Sequence, residues 1–252
     1  NITGSDVFKW HRLTYQPGNA ILSITGDFKE RLKYLEKLFS KIPVRSIDNR
    51  LLVKPVFIEG VKRLSAEDPN GRVASISIGY AAPRMKDPEF PAFKIIAYYL
   101  EEYQHYFEKL RVEEGLMYAG FVYYNYLEKP NAPNIAFLVM TEPQLLDRVE
   151  KRTVAVLQRI IEAGLEQTEI SAVIQAMRTR SELARVNGRG TATLNALSYF
   201  LETQLVYDQR LLAELERVTT DDIKKAAAKY FQNYIRVAYL PKEYLRTDGK
   251  KD

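Results

Sequence analysis

Two hydrophobic periodicities occupy separate stretches of this chain, and their order limits the folds open to it. Apolar residues alternate along Arg72–Tyr80 and along Met117–Tyr123, and strands are read at about 117–127, at 134–141 and along Arg236–Leu240. Period-two segments of this kind are half-buried strands. Helical spacing instead governs about 144–163, 168–186, 191–206 and 209–216, and then Val218–Phe231. Strands early and late, with helices collected between them, predict an α+β two-layer sandwich: a mostly antiparallel sheet with helices on one face. The other sheet face would then line a cleft. Pro88 to Gly115 also reads as helix, broken near Gln104, and Phe28 to Ile42 carries Leu32, Leu35, Leu38 and Phe39 on one helical face. Thr168 and Thr191 are placed to cap the helices that follow them.

The two ends of the chain share a plan. Ile2–Val7 opens a helix that ends at Tyr15, and Ala20–Ile24 follows as a strand. At a spacing of 216 positions, Val218–Ile223 opens a helix that ends at Phe231, and Arg236–Leu240 follows. Thr3 with Asp6, and Thr219 with Asp222, each have capping-box spacing. Helix-then-strand is a common unit and few identities support the match. If it is a true repeat, the C-terminal unit closes one domain and the N-terminal unit closes a preceding one. The expected division is residues 1–42 as the tail of a preceding homologous domain, 43–55 as a linker, 56–245 as the C-terminal domain and 246–252 as a disordered tail.

The stretch Leu110-Arg111-Val112-Glu113-Glu114-Gly115-Leu116-Met117-Tyr118 reads as a last helical turn, a glycine stop and a strand entry. Arg111 and Tyr118 would project from two rigid elements toward one cleft. Guanidinium and phenol both donate hydrogen bonds suited to a peptide carbonyl or a developing oxyanion. On chemistry alone a structural reading stands beside this one. Arginine in a last turn complements the helix dipole, and tyrosine is a common strand residue. Tyr123, Tyr124 and Tyr126 could extend a peptide-binding wall, or simply pack.

The same string resembles the arginine–tyrosine signature of the insulinase, or pitrilysin, family of zinc metallopeptidases. There an L-R-x-E-x-G-L-x-Y-like run sits in a domain that lacks the zinc motif. Tyr15-Gln16-Pro17-Gly18-Asn19-Ala20, running to Gly26-Asp27, is similar to a Y-x-P-x-N-A…G-D segment near the end of that family's first domain. The resemblance implies a tandem-domain metallopeptidase-like fold, with Arg111 and Tyr118 as the substrate-binding and oxyanion-side residues. They would hold an extended peptide opposite a zinc site on another domain or subunit. The peptide would lie along a strand edge by backbone pairing. It implies equally a second reading, a non-catalytic structural or peptide-binding subunit of the same family.

The family's catalytic helix carries H-x-x-E-H, in which two histidines on one face hold zinc. This chain has two histidines, His11 and His105, and His105-Tyr106-Phe107-Glu108-Lys109 puts a protonated lysine where the second ligand belongs. No zinc site is expected here; zinc is expected on the partner domain or subunit, and the fragment should cleave nothing alone. Zero cysteines exclude disulfides and thiolate metal sites. Asn187-Gly188-Arg189-Gly190-Thr191 lacks a P-loop lysine and joins two helices. The +5 net charge is interspersed with carboxylates, which argues against a nucleic-acid partner. No run approaches the roughly 18 apolar residues of a membrane span. The chain opens without Met on a helix-like segment, so a longer protein is expected, with its compartment, bacterial periplasm or cytoplasm, left open.

Overall fold

A computed structural model describes residues 2–41, 58–69, 71–103, 106–126, 132–200 and 207–245. The expected linker at 43–55, the tail at 246–252, and both Gln104 and His105 lie outside the described residues. The chain divides into two compact units: Asn1–Val53 with Arg178–Arg210, and Lys54–Met177 with Leu211–Asp252.

The second unit is built on a five-stranded sheet. Its strands are β1 (Val61–Asp68), β2 (Ala74–Ala81), β3 (Ala119–Asn125), β4 (Asn134–Thr141) and β5 (Tyr234–Pro241), in the order β1-β5-β2-β4-β3. Only the β1–β5 pair is parallel; the other three are antiparallel. The register follows the pleat. Ile78 of β2 stands opposite Phe137 of β4 and Arg236 of β5, so one face collects Ala74, Ile76, Ile78 and Tyr80 with Ile135, Phe137, Val139, Tyr234 and Ala238. All are buried. Helices cover that face: α3 (Phe90–Tyr98), α5 (Leu146–Ala163) and α9 (Thr220–Tyr230) pack against one another there. This unit is a two-layer α+β sandwich with the helices on one side, as the periodicities require.

The helices are long where their apolar stripes are long. α5 buries Leu146, Val149, Thr153, Leu157 and Ile160, a spacing of three and four that keeps one face inward. It ends at Gly164, whose φ of 73° a β-carbon would strain. In α3, Phe90, Phe93, Ile95 and Ile96 are buried. Phe93 meets Tyr124, Tyr230 and Phe231 at ring-centroid distances of 5.3–5.4 Å, joining both layers. Each such large side chain contributes about 1.5–3 kcal/mol by leaving water.

β1 was not expected from the sequence. Its residues Val-Lys-Arg-Leu-Ser-Ala-Glu-Asp lack the apolar alternation of a covered strand, and most are exposed. Pro88–Gly115 is helical over most of its described length, with α3 running on to Tyr103 and α4 (Tyr106–Glu108) running on to Glu113. π-helical turns continue α3 at Tyr99–Tyr103 and α4 at Lys109–Glu113, and widen the helix locally. α6 (Gln167–Arg185) holds Thr168 inside its first turn. The Glu169 carboxylate accepts from the Glu166 N–H at 2.9 Å, so Thr168 does not cap it.

The first unit contains α1 (Gly4–Thr14), α2 (Leu32–Phe39) and α7 (Gly188–Phe200). α1 begins with the expected capping box: the Thr3 side chain accepts from the Asp6 N–H, and the Asp6 carboxylate accepts from the Thr3 N–H at 2.9 Å. α9 begins the same way, Thr219 N–H donating to Asp222 at 3.0 Å. α7 starts earlier than expected because Asn187 Oδ1 accepts from the Gly190 N–H at 2.7 Å; Thr191 is therefore inside the helix. Among the described residues no strand pairs with Ala20–Ile24, where the sequence reading expects a strand.

Candidate functional site

The turn from Lys109 to Tyr118 is held from several sides. Leu110 is buried and anchors the π-helical turn. The Glu114 N–H donates to the Lys109 carbonyl at 3.1 Å, and the Leu116 N–H reaches back to the Leu110 carbonyl at 2.8 Å. That reversal needs Gly115 at φ 62°, a conformation glycine adopts without a β-carbon clash. Leu116 and Met117 are then buried. Thr141 Oγ1 donates to the Leu116 carbonyl at 2.6 Å, and the Tyr118 N–H to the Met140 carbonyl at 2.8 Å. Outside the turn, Arg152 of α5 pairs with Glu114 at 2.6 Å. The glycine stop and the elements around it match the sequence reading, except that β3 begins at Ala119, not at 117.

Two polar side chains stand out from this fixed frame. Arg111 is exposed, and no other described residue hydrogen-bonds or ion-pairs with it. Tyr118 is 51% exposed, and its hydroxyl donates to Glu142 Oε1 at 2.9 Å. That bond to a carboxylate pushes the phenol pKa above its ordinary value. Glu142 also accepts from the Gln144 amide. Sequence reasoning missed Glu142. It follows β4 directly, and only the β3–β4 register brings it beside a residue 24 positions earlier.

Other candidates separate. Tyr124 and Tyr126 pack rather than line a wall: Tyr124 lies 5.4 Å from Phe93, and Lys94 Nζ sits 4.6 Å over the Tyr126 ring. Tyr123 is exposed on β3. His11 stacks on Tyr15 at 4.6 Å within the first unit. Among the described residues, no group of three or more His, Cys, Asp and Glu side chains is placed to hold a metal ion. Among the described residues, no helix is long and apolar enough to cross a membrane.

A family model described as the peptidase M16 inactive domain matches residues 1–177. The chain belongs to that family. The assignment agrees with the resemblance carried by Leu110–Tyr118 and Tyr15–Asp27. No curated protein matches the M16 chain by sequence. Solved structures share its fold. A protease from Helicobacter pylori is 19% identical with a TM-score of 0.72, over 96% of this chain and 60% of that one. The first half of the periplasmic protease PqqL from Escherichia coli is 18% identical with a TM-score of 0.61, over 98% and 56%. A peptidase M16 inactive domain from Pseudomonas fluorescens is 13% identical with a TM-score of 0.58, over 72% and 43%. The chain thus spans 60% or less of the length of these three structures.

Proposed function

We propose that this M16 chain is the non-zinc, substrate-holding part of a metalloendopeptidase. It would grip an extended peptide opposite a zinc site on another domain or subunit. The observation that carries this reading is the turn itself. A segment pinned by Leu110, Gly115, Leu116 and Thr141 keeps Arg111 and Tyr118 exposed at its two ends. Among the described residues the Arg111 guanidinium has no partner, so the reading needs no existing bond to be broken there before a substrate is gripped. Arg111 would fork onto a substrate carbonyl, since its planar donors suit paired acceptors. Tyr118 would donate to the same carbonyl group or to the oxyanion that forms from it. Zinc belongs to the partner, and no residue described here is assigned to it.

A second reading has one observation in its favour. Tyr118 already donates to Glu142, as a residue with a purely structural role would. In that case the chain is a non-catalytic subunit of the family. The deciding experiment is peptide hydrolysis by the complete protein with its zinc-bearing partner. Arg111→Ala and Tyr118→Phe are each expected to lower kcat by about 10²–10³, the loss typical of one oxyanion-side donor. Unaltered melting temperatures would separate this from misfolding. A double variant that folds and cleaves normally would reject the substrate-holding role.

We further propose that residues 1–42 complete a preceding, similarly built domain. Pairs 216 positions apart support this. Val7 and Trp10 of α1 are 57% and 54% exposed, whereas Ile223 and Ala226, their counterparts in α9, are fully buried against the sheet layer. Tyr15 and Phe231 contrast in the same way. A helix with this capping box and this exposed apolar face, followed by the strand-like sequence Ala20–Ile24, suits a sheet of its own.

A further inference from the structure

β1 forms one edge of the sheet, and no described strand pairs with its outer side. Val61 to Ser65 are all exposed. An exposed edge of eight residues is a template for another strand, and proteins usually blunt it with scattered charge. The charges of β1 are not scattered. Lys62 and Arg63 stand at one end, and Glu67 and Asp68 at the other.

The register against β5 says which way each side chain leaves the sheet. Val61, Arg63 and Ser65 lie beside Tyr234, Arg236 and Ala238, which are buried under the helices. Arg63 confirms this by reaching Glu150 of α5 at 2.7 Å. Lys62, Leu64, Ala66 and Asp68 therefore emerge on the open face. When two copies of one strand pair antiparallel about a twofold axis normal to the sheet, each face stays on its own side. Opposed residues must then share a face, so their numbers differ by an even amount.

One such register, centred on Ser65, sets Lys62 against Asp68, Arg63 against Glu67, Leu64 against Ala66, and Ser65 against itself. Symmetry repeats each contact, giving four opposite-charge pairs, two on each face. The adjacent allowed register, centred on Leu64, sets Lys62 against Ala66 and Arg63 against Ser65, and forms none of them. We propose that the chain dimerises by antiparallel pairing of β1 with β1 of a second copy, in the Ser65-centred register. Two five-stranded sheets then become one of ten strands. A foreign strand could use the same backbone groups, but this charge order is complementary to itself.

The test uses sedimentation velocity on the full chain. The wild type is expected to dimerise, more weakly as salt rises. Lys62→Glu places two like-charge contacts where two attractive ones stood, and should raise the dimer Kd roughly tenfold or more. Adding Asp68→Lys to it should restore the dimer. Because the chain contains no cysteine, Ser65→Cys gives an independent readout. Opposed residues in an antiparallel pair lie about 4.5–5.5 Å apart at Cα, within disulfide range, so mild oxidation should yield a covalent dimer. Leu64→Cys should not. A wild type that stays monomeric, a Lys62→Glu dimer of unchanged affinity, or cross-linking through position 64 instead of 65 would each overturn the proposal.

Discussion

Glu150 is the most consequential charge in the second unit, and removing it tests how that unit is held together. The residue is 4% exposed on α5. Its Oε1 accepts from the Tyr234 hydroxyl at 2.7 Å and from Arg63 Nε at 2.9 Å; its Oε2 lies 3.4 Å from Arg236 Nε. It therefore ties the helix layer to both β1 and β5. Burial pushes its carboxyl pKa up, but the bonds from Arg63 and Tyr234 overcome this and leave it below the ordinary range. Glu150→Ala strands Arg236, whose side chain is itself largely buried and would keep only Asp147 at 3.2 Å. Leaving one partner of a buried ion pair behind costs about 3–5 kcal/mol. The Arg63 share is small, since that side chain is mostly in water. Glu150→Gln keeps an acceptor for Tyr234 and should lose less, about 1–3 kcal/mol.

The pH dependence has a definite sign. A carboxyl whose pKa falls on folding lends full stability above its unfolded value, and that stability disappears as pH drops through the folded value. Urea unfolding followed by circular dichroism from pH 7 down to acid should show this limb in the wild type and a shallower one in Glu150→Gln. Hydrogen exchange in peptides from β1 and β5 should quicken in Glu150→Ala. A loss under about 1 kcal/mol for Glu150→Ala, or an acid limb identical in Glu150→Gln, would refute the reasoning.

Gly164→Ala should destabilise by about 1–3 kcal/mol. Its φ of 73° is strained for alanine, and the new methyl would sit 2.7 Å from Thr220 Cγ2; a lowered melting temperature checks this. The Tyr118 phenol should titrate at lower pH in Glu142→Gln than in the wild type, because the charged acceptor that raises its pKa is gone. Ultraviolet difference titration of that variant against Tyr118→Phe isolates the signal, and an unmoved titration would remove the Tyr118–Glu142 bond from the account.

Strands that alternate cleanly were legible in the sequence, and strands that do not were hidden. β2 and β4 bury every second residue along most of their length, and the buried positions are almost all apolar. β1 has neither face covered by enough structure to demand apolar residues, and its parallel pairing with β5 arises from parts of the chain more than 160 positions apart. Local spacing carries no trace of that. Ala20–Ile24 fails the other way: the residues have strand character, but no described strand lies beside them. Capping boxes were legible at both ends because all their atoms lie within four residues. Thr191 misled because Asn187, four positions earlier, competes for the same role. At the candidate site, the glycine reversal and both exposed donors were readable from one nine-residue string. Glu142 was not, since its place beside Tyr118 depends on strand register.

The phenolic hydrogen of Tyr118 is a single proton with a present owner. On the proposed substrate-holding role, a substrate oxygen would receive it only by drawing it away from Glu142, so the rotamer of that glutamate would act as a gate on the tyrosine. With Glu142 turned aside, the hydroxyl would be free for an incoming acceptor; in the arrangement seen, it is held by the carboxylate. Affinity for a neutral carbonyl would then be modest and affinity for a developing negative charge much greater, because only the charged oxygen competes on equal terms with a carboxylate.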